Sequence, residues 1–243
     1  MSEVNAVKNE QVKRTHDEFY LQLNRKSTPK EYFKFVDRHV RQFRSLDGLR
    51  VVDIGCATGD FLHFLAELYP QAKLYGYDVL DTLLSRARTE VTRATFSRVN
   101  ISEPDLQSKD QSFDVAFMLG VHSIFDDLHW LNNALSLLRP GGHFYCFGLF
   151  NTMDVDVFVK ARKSGAKALE PGWNVMSCTT VHAHLASIGQ HGDFSPWQIT
   201  VPVLPTDGDP YRSWTVPQVD GSFEIRNGLQ LVHTFQLLHV CKK

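Results

Sequence analysis

The segment Asp53-Ile54-Gly55-Cys56-Ala57-Thr58-Gly59 follows a β-branched run, Val51-Val52, and leads into an apolar helical repeat. Glycines at 55 and 59 let backbone approach a ligand without Cβ clashes. Asp78 lies 19 positions after Gly59, at the end of a second apolar run. A carboxylate there can accept hydrogen bonds from both hydroxyls of a ribose. The turn is not GxGxxG, so no glycine stands where backbone must reach a pyrophosphate, and no GxxxxGK[ST] occurs to cradle a triphosphate. A DxGxxxG turn suits a nucleoside whose tail is an amino acid and not a phosphate.

Such a turn works only at the edge of a sheet, and the chain supplies one. Leu49–Ile54, Lys73–Val79, Thr95–Ile101, Phe113–Leu119 and His143–Phe150 read as strands. Phe61–Leu68, Asp81–Val91 and Leu128–Leu138 read as helices between them, by their three- and four-residue apolar spacing. Strands alternating with helices predict an α/β, doubly wound, Rossmann-like parallel sheet covered on both faces. The unbroken apolar run Val115-Ala116-Phe117-Met118-Leu119 fits a strand buried on both sides. Upstream, residues 15–45 read as helical, with Phe33, Val36, Val40 and Phe43 as a stripe and Ser27-Thr28-Pro29 as its cap. Downstream, Val155–Lys167 and Thr179–Ile188 read as helices, and Trp197–Val203 and Leu229–Val240 as strands. Residues 204–228 are rich in Pro, Gly and Asp, a loop length more often functional than idle.

The whole chain has 243 residues, 43% hydrophobic and 22% charged, with formal net charge −1. That is enough for one large domain or one domain with a modest cap. It excludes a disordered tail, a collagen-like repeat and a disulfide miniprotein. Near-neutral charge argues against wholesale phosphate-backbone binding. Cys56, Cys146, Cys178 and Cys241 form no CxxC pair or zinc spacing, and all but Cys178 lie in apolar or glycine-rich runs suited to a buried, reduced thiol. The first fourteen residues lack the apolar stretch of a signal peptide, and no window approaches a membrane span. The expectation is a cytoplasmic protein with no membrane partner.

Taken in order, VVDIGCATGDFL, YGYDV, VNI, FDVAFMLGVHSIFDD and LLRPGGHFYCFGLF resemble the class I S-adenosylmethionine-dependent methyltransferases over roughly residues 45–150. The resemblance implies S-adenosyl-L-methionine as cofactor and an antiparallel last strand completing the sheet. It implies an N-terminal helical lid over residues 1–45 and a methyltransferase domain over 46–243, with cap insertions near 151–196 and 204–228. Asp53, Gly55, Cys56, Ala57 and Gly59 match the turn that holds the methionine portion. Asp78 matches the ribose acid and Val79 its adenine-side neighbour. Asn100 and Ile101 match the adenine site; an Asp is common at the first, and an amide there can both donate and accept. Leu119 and Gly120 match backbone along the methionine.

Methyl transfer from a sulfonium is an in-line displacement, in which alignment supplies roughly 7–11 kcal/mol of the barrier. His122, just past the fourth strand, is the candidate catalytic residue, as a general base or a substrate hydrogen bond. A satisfied histidine packed beneath the lid is the alternative. No Asn/Asp-Pro-Pro-Tyr follows that strand, which counts against planar amides and base nitrogens as acceptors. His182 and His184, two apart on a helix, point to opposite sides and do not make a metal pair; no metal is expected. Tyr20, Tyr32, Phe33, Trp173, Trp197, Tyr211, Arg212 and Trp214 are candidates for the acceptor pocket, and ordinary packing competes for each.

The expected acceptor is a small molecule, with oxygen slightly favoured. Nucleic acid is the less favoured partner. Ten Lys/Arg face five Asp/Glu between residues 13 and 50, and Lys30, Lys34, Arg38 and Arg41 could line one helix face, but an amphipathic helix normally solvates such a face. A nucleic-acid methyltransferase would lose activity steeply with salt. A catalytically silent cofactor-binding module would bind without turnover. A nicotinamide oxidoreductase on the same fold lacks its glycine fingerprint.

Overall fold

The computed structural model describes residues 20–22, 26–103, 112–197, 213–217, 219–227 and 234–243. Its elements run α1 (Glu31–Arg41), β1 (Arg50–Ile54), α2 (Asp60–Leu68), β2 (Lys73–Asp78), α3 (Asp81–Glu90), β3 (Ala94–Arg98), β4 (Phe113–Leu119), α4 (His129–Ser136) and β5 (Leu138–Asn151). Then follow two-residue strands β6 (Lys160–Ala161), β7 (Glu170–Pro171) and β8 (Met176–Ser177), α5 (Cys178–Ser187), β9 (Gly192–Pro196), β10 (Ser213–Pro217), β11 (Phe223–Asn227) and β12 (Thr234–Cys241).

The main sheet has the order β3-β2-β1-β4-β5-β12-β9, with β8 beside the end of β5. β1 through β5 pair in parallel, while β12 runs antiparallel to both β5 and β9. Adjacent residues on a strand point to opposite faces, and the burial follows suit. Val51, Phe117, Tyr145 and Leu237 pack on one side with α1, α2 and α3. Val52, Ala116, Met118, Phe144, Phe150 and Leu238 pack on the other with α4 and α5. The doubly wound, mostly parallel sheet with an antiparallel last strand is therefore the observed architecture.

Several local expectations give way. α1 spans only 31–41 of the described part of the expected 15–45 helix; Lys30, in extended conformation, is its N-cap, without a side-chain cap. Phe33, Val36 and Val40 are buried as the spacing predicts, but Phe43 lies past the helix end and is 54% exposed, against the rings of His143 and His239. Residues 155–167 form no helix. Val155, Val157 and Val159 are β-branched and alternate with Asp156 and Phe158, a period of two that favours extended chain. Val157 bridges Val175, and β6 pairs with β7 across a turn with Gly165 at φ 82°. The strand expected at 197–203 is met earlier by β9, which ends before Trp197; 198–203 lie outside the described residues, as do 204–212, 218 and 228 of the expected 204–228 loop, and the described part of that loop holds an antiparallel hairpin of β10 and β11. Cys56 and Cys146 are buried, but Cys241 is exposed rather than packed.

Candidate functional site

Sheet order reverses between β1 and β4, so the helices that follow these strands leave on opposite faces and open a crevice at their carboxyl ends. A cavity of about 450 Å³ occupies it. The glycine turn forms its floor and is tied to β2 by backbone: Gly55 and Cys56 N–H both donate to Tyr77 O, at 2.7 and 3.0 Å. Gly55, Gly59 and Gly120 all have φ between 75° and 79°, which glycine adopts without strain. Ala57 reaches φ 47° in the same turn and donates its N–H to Asp78 Oδ2 at 2.9 Å. Asp78 Oδ1 accepts from the N–H groups of Val79 and Leu80 at 2.8 and 3.0 Å, at the start of α3.

Ten of the eleven sequence-selected cofactor residues line this cavity: Asp53, Gly55, Cys56, Ala57, Asp78, Val79, Asn100, Ile101, Leu119 and Gly120. Gly59 sits behind the wall as the left-handed N-cap of α2, where a Cβ would press on Phe96 and Val91 at 3.1–3.2 Å. Asn100 accepts from Ser102 N–H and Oγ–H, at 3.1 and 2.8 Å. Asn133 of α4 braces this loop by donating to Ile101 O and Glu103 O, a contact that no local pattern announces.

Tyr20, Tyr32 and Phe33 also line the cavity; Trp173 and Trp197 do not. Tyr211 and Arg212 and the side chain of Trp214 lie outside the described residues. Lys30 was expected on a solvated basic face and is instead part of the cavity wall, its ammonium 5.5–5.9 Å from the ring centres of Tyr20, Tyr32 and Phe33. Lys34 and Arg41 from the same face pair with Glu31 and Asp37, each at 2.7 Å. Lys26 anchors the preceding segment to the floor, donating to Asp60 Oδ1 at 2.9 Å and Glu90 Oε2 at 2.6 Å.

The far wall comes from the loop after β4: Val121, Ile124, Phe125, Asp126 and Asp127. Asn174, 1% exposed, holds this loop: its backbone N–H donates to Ser123 O, its amide to Phe125 O and Asp126 Oδ1, and its own Oδ1 accepts from Val159 N–H. The insert after β5 thus sets the position of Phe125 and Asp126, a link that joins residues some fifty positions apart.

His122 is not on the wall. Its ring is 3% exposed, donates through Nε2 to Leu149 O at 3.0 Å and stacks on Phe150 at 4.4 Å. It fills the space left by Gly148, where a Cβ would come within 2.1 Å of Cε1. Burial lowers its pKa to about 4. The imidazole therefore packs beneath the cavity rather than serving as a base in it. His182 and His184 are engaged elsewhere, with Gly192 O and Asn132 Oδ1. Among the described residues, no three His, Cys, Asp or Glu side chains are grouped to hold a metal, and no helix is long and apolar enough to cross a membrane.

His143 is likewise held low, at about 4, by burial and then by Arg44 and His239, each within 2.8 Å. Both histidines are neutral in the fold and free to protonate near pH 6.5 when unfolded. Their contribution to stability is complete above about pH 6.5 and is lost as pH falls toward 4. For His122 alone the loss amounts to about 3 kcal/mol at most. Urea unfolding at stepped pH should show this decline; constant stability from pH 7 to 4 would contradict the buried neutral state.

Residues 52–144 match the model of a methyltransferase domain family. Over 120 residues the chain is 32% identical to trans-aconitate 2-methyltransferase of Rhodopseudomonas palustris (strain BisA53), covering 46% of each protein. Over 132 residues it is 27% identical to demethylmenaquinone methyltransferase of Listeria monocytogenes serotype 4a, covering 52% of this chain and 56% of that one. The chain thus spans about half the length of these relatives. Its fold resembles that of an S-adenosylmethionine-dependent methyltransferase from Aquifex aeolicus, with TM-score 0.56 at 15% identity over 94% of this chain and all of the other. One from Mesorhizobium loti gives 0.54 at 16% identity over 85% and 96%.

Proposed function

We propose that the chain is a class I S-adenosylmethionine-dependent methyltransferase that transfers the cofactor's methyl group to a small-molecule acceptor, a reading supported by the methyltransferase-domain match over residues 52–144 and by the fold. The observation that carries this reading is the pair of buried acids, Asp53 and Asp78, near the carboxyl ends of adjacent strands in one cavity at the switch point. The residues fit the cofactor. Asp53 is 3% exposed, and no hydrogen bond to its carboxyl is found among the described residues; it is a partner for a cationic group. Asp78 is oriented by three N–H donors and would hold the ribose. Val79, Asn100 and Ile101 would receive the adenine. Gly55, Cys56, Ala57, Leu119 and Gly120 would flank the methionine portion, and Gly59 would shape the turn.

The cofactor supplies an electrophilic methyl on a sulfonium; the protein's part is to bind, align and exclude water. Tyr20, Tyr32 and Phe33 would close the mouth over it, which is the lid role we assign to the N-terminal segment. The segment 151–177 would shape the acceptor wall through Asn174. Oxygen is the acceptor atom we favour: an ionised oxygen attacks without a base, and no imidazole stands among the described lining residues. Four cysteines without a disulfide suit a reducing compartment such as the cytoplasm.

Calorimetric titration with S-adenosylhomocysteine tests the cofactor assignment. Micromolar binding supports it and justifies a screen of small-molecule acceptors with labelled donor. Absence of binding by folded protein would refute it.

A further inference from the structure

Asp53 and Asp78 lie at the carboxyl ends of neighbouring parallel strands, Asp53 one residue before the end of β1 and Asp78 at the end of β2, and face one cavity, yet their surroundings differ. Three backbone N–H groups meet the Asp78 carboxylate. Asp53 is buried too, at 3% exposed, and accepts no hydrogen bond from the described residues. Burial with no donor from the described residues disfavours its charged form. The groups that share the cavity with it are Asp78 from β2, Lys30 from the start of α1, Cys56 from the turn, Asp60 from α2, and Asp126 and Asp127 from the loop after β4. Four are carboxylates of its own sign, one is a thiol that burial keeps protonated, and one is a cation. Burial and then the Asp78 charge push the Asp53 carboxyl well above the usual carboxylate range, with Lys30 acting weakly the other way.

We propose that Asp53 carries a proton in the free protein and surrenders it to solvent when the cofactor's ammonium group enters, so that cofactor uptake releases about one proton and tightens as pH rises. This rests on the cofactor assignment above and adds a property to it. The proton leaves the carboxyl as the incoming cation takes over its role of neutralising that group. Below the midpoint of free Asp53, affinity rises by up to tenfold per pH unit; above it, affinity is level.

The test is calorimetry of the full chain with S-adenosylhomocysteine, in pairs of buffers with different ionisation enthalpies. Measurements run between about pH 5 and 7, below the range near 8 in which an α-amino group loses its charge. The expected result is a buffer-dependent heat equivalent to release of about one proton, and affinity that climbs with pH. Asp53→Asn replaces the carboxyl by a neutral group of equal size. In that variant proton release should vanish, the pH slope should flatten, and affinity at neutral pH should fall about tenfold. Should the variant fail to fold, infrared difference spectra of the wild type answer the same question: a protonated-carboxyl band should disappear on adding the ligand. Binding without proton release, or release that survives in Asp53→Asn, overturns the inference and leaves the cofactor reading standing. No binding at all removes both.

Discussion

Replacing Asp78 by alanine lowers affinity for S-adenosylhomocysteine by about 100- to 10,000-fold, the equivalent of two charge-assisted hydrogen bonds at about 1.5–3 kcal/mol each. The same substitution takes the shared acceptor from Ala57, Val79 and Leu80 N–H. Water can refill part of the space, so the expected loss of stability is about 2–3 kcal/mol rather than the full value of three bonds. The two effects separate in one experiment. Urea unfolding reports the backbone donors, and calorimetry on the folded fraction reports the ligand. Asp78→Asn keeps one oxygen as acceptor but offers an NH₂ to a neighbouring donor, so it should fall between wild type and alanine in both. Binding of the alanine variant within tenfold of wild type would exclude Asp78 from the ribose role.

The second large effect is expected at Gly55. An alanine Cβ there would stand 2.3 Å from Val121 Cγ2, in backbone at φ 75°. The left-handed conformation costs about 1–2 kcal/mol, and overpacking adds about 1–3 kcal/mol. Val121 also lines the cavity, so the displacement is transmitted to the ligand site, with binding weakened by more than about 100-fold. Gly120 provides the control. It has φ 79° but nothing within 4 Å of its missing Cβ, so in unfolding experiments on the free protein Gly120→Ala should show only the conformational penalty of about 1–2 kcal/mol. Val121→Ala combined with Gly55→Ala should recover the steric part, because contacting residues couple. Equal damage from Gly55→Ala and Gly120→Ala would show that strain alone, and not the Val121 contact, governs this turn.

The parts of the fold that were legible are those written in local periodicity and sterics. Val115–Leu119 is an unbroken apolar run, and Val51, Val52 and Ile54 surround only one acid, a pattern that fits strands covered on both faces. Gly55 and Gly59 have no competing use for their freedom, so the turn between strand and helix could be placed to the residue. Asp78 ends an alternating strand, and its position relative to the turn follows from strand and helix lengths. Lys30 and Asn174 left no such signal. Nothing near Lys30 separates a lysine aimed at a cavity from one on a solvated helix face. Asn174 sits in an irregular insert whose partners, Ser123 and Phe125, are distant in sequence.

His122 marks the boundary between the two kinds of information. Its place just past β4 follows from sequence, and there an imidazole facing a ligand and one facing the core look alike. The choice was made by Gly148 on the next strand, which leaves room for the ring, by Leu149 O, which takes its N–H, and by Phe150, which it covers. The same holds for the run of valines at 155–159, which a bridge to Val175 holds extended, and for Phe43, which the end of α1 leaves on the surface. The amino-acid order by itself determined the strand succession, the glycine turn and the two acids, because each depends on neighbours within a few residues. Which side chains enter the cavity and which brace it from behind depends on contacts between segments far apart in the chain, and only the assembled structure decided it.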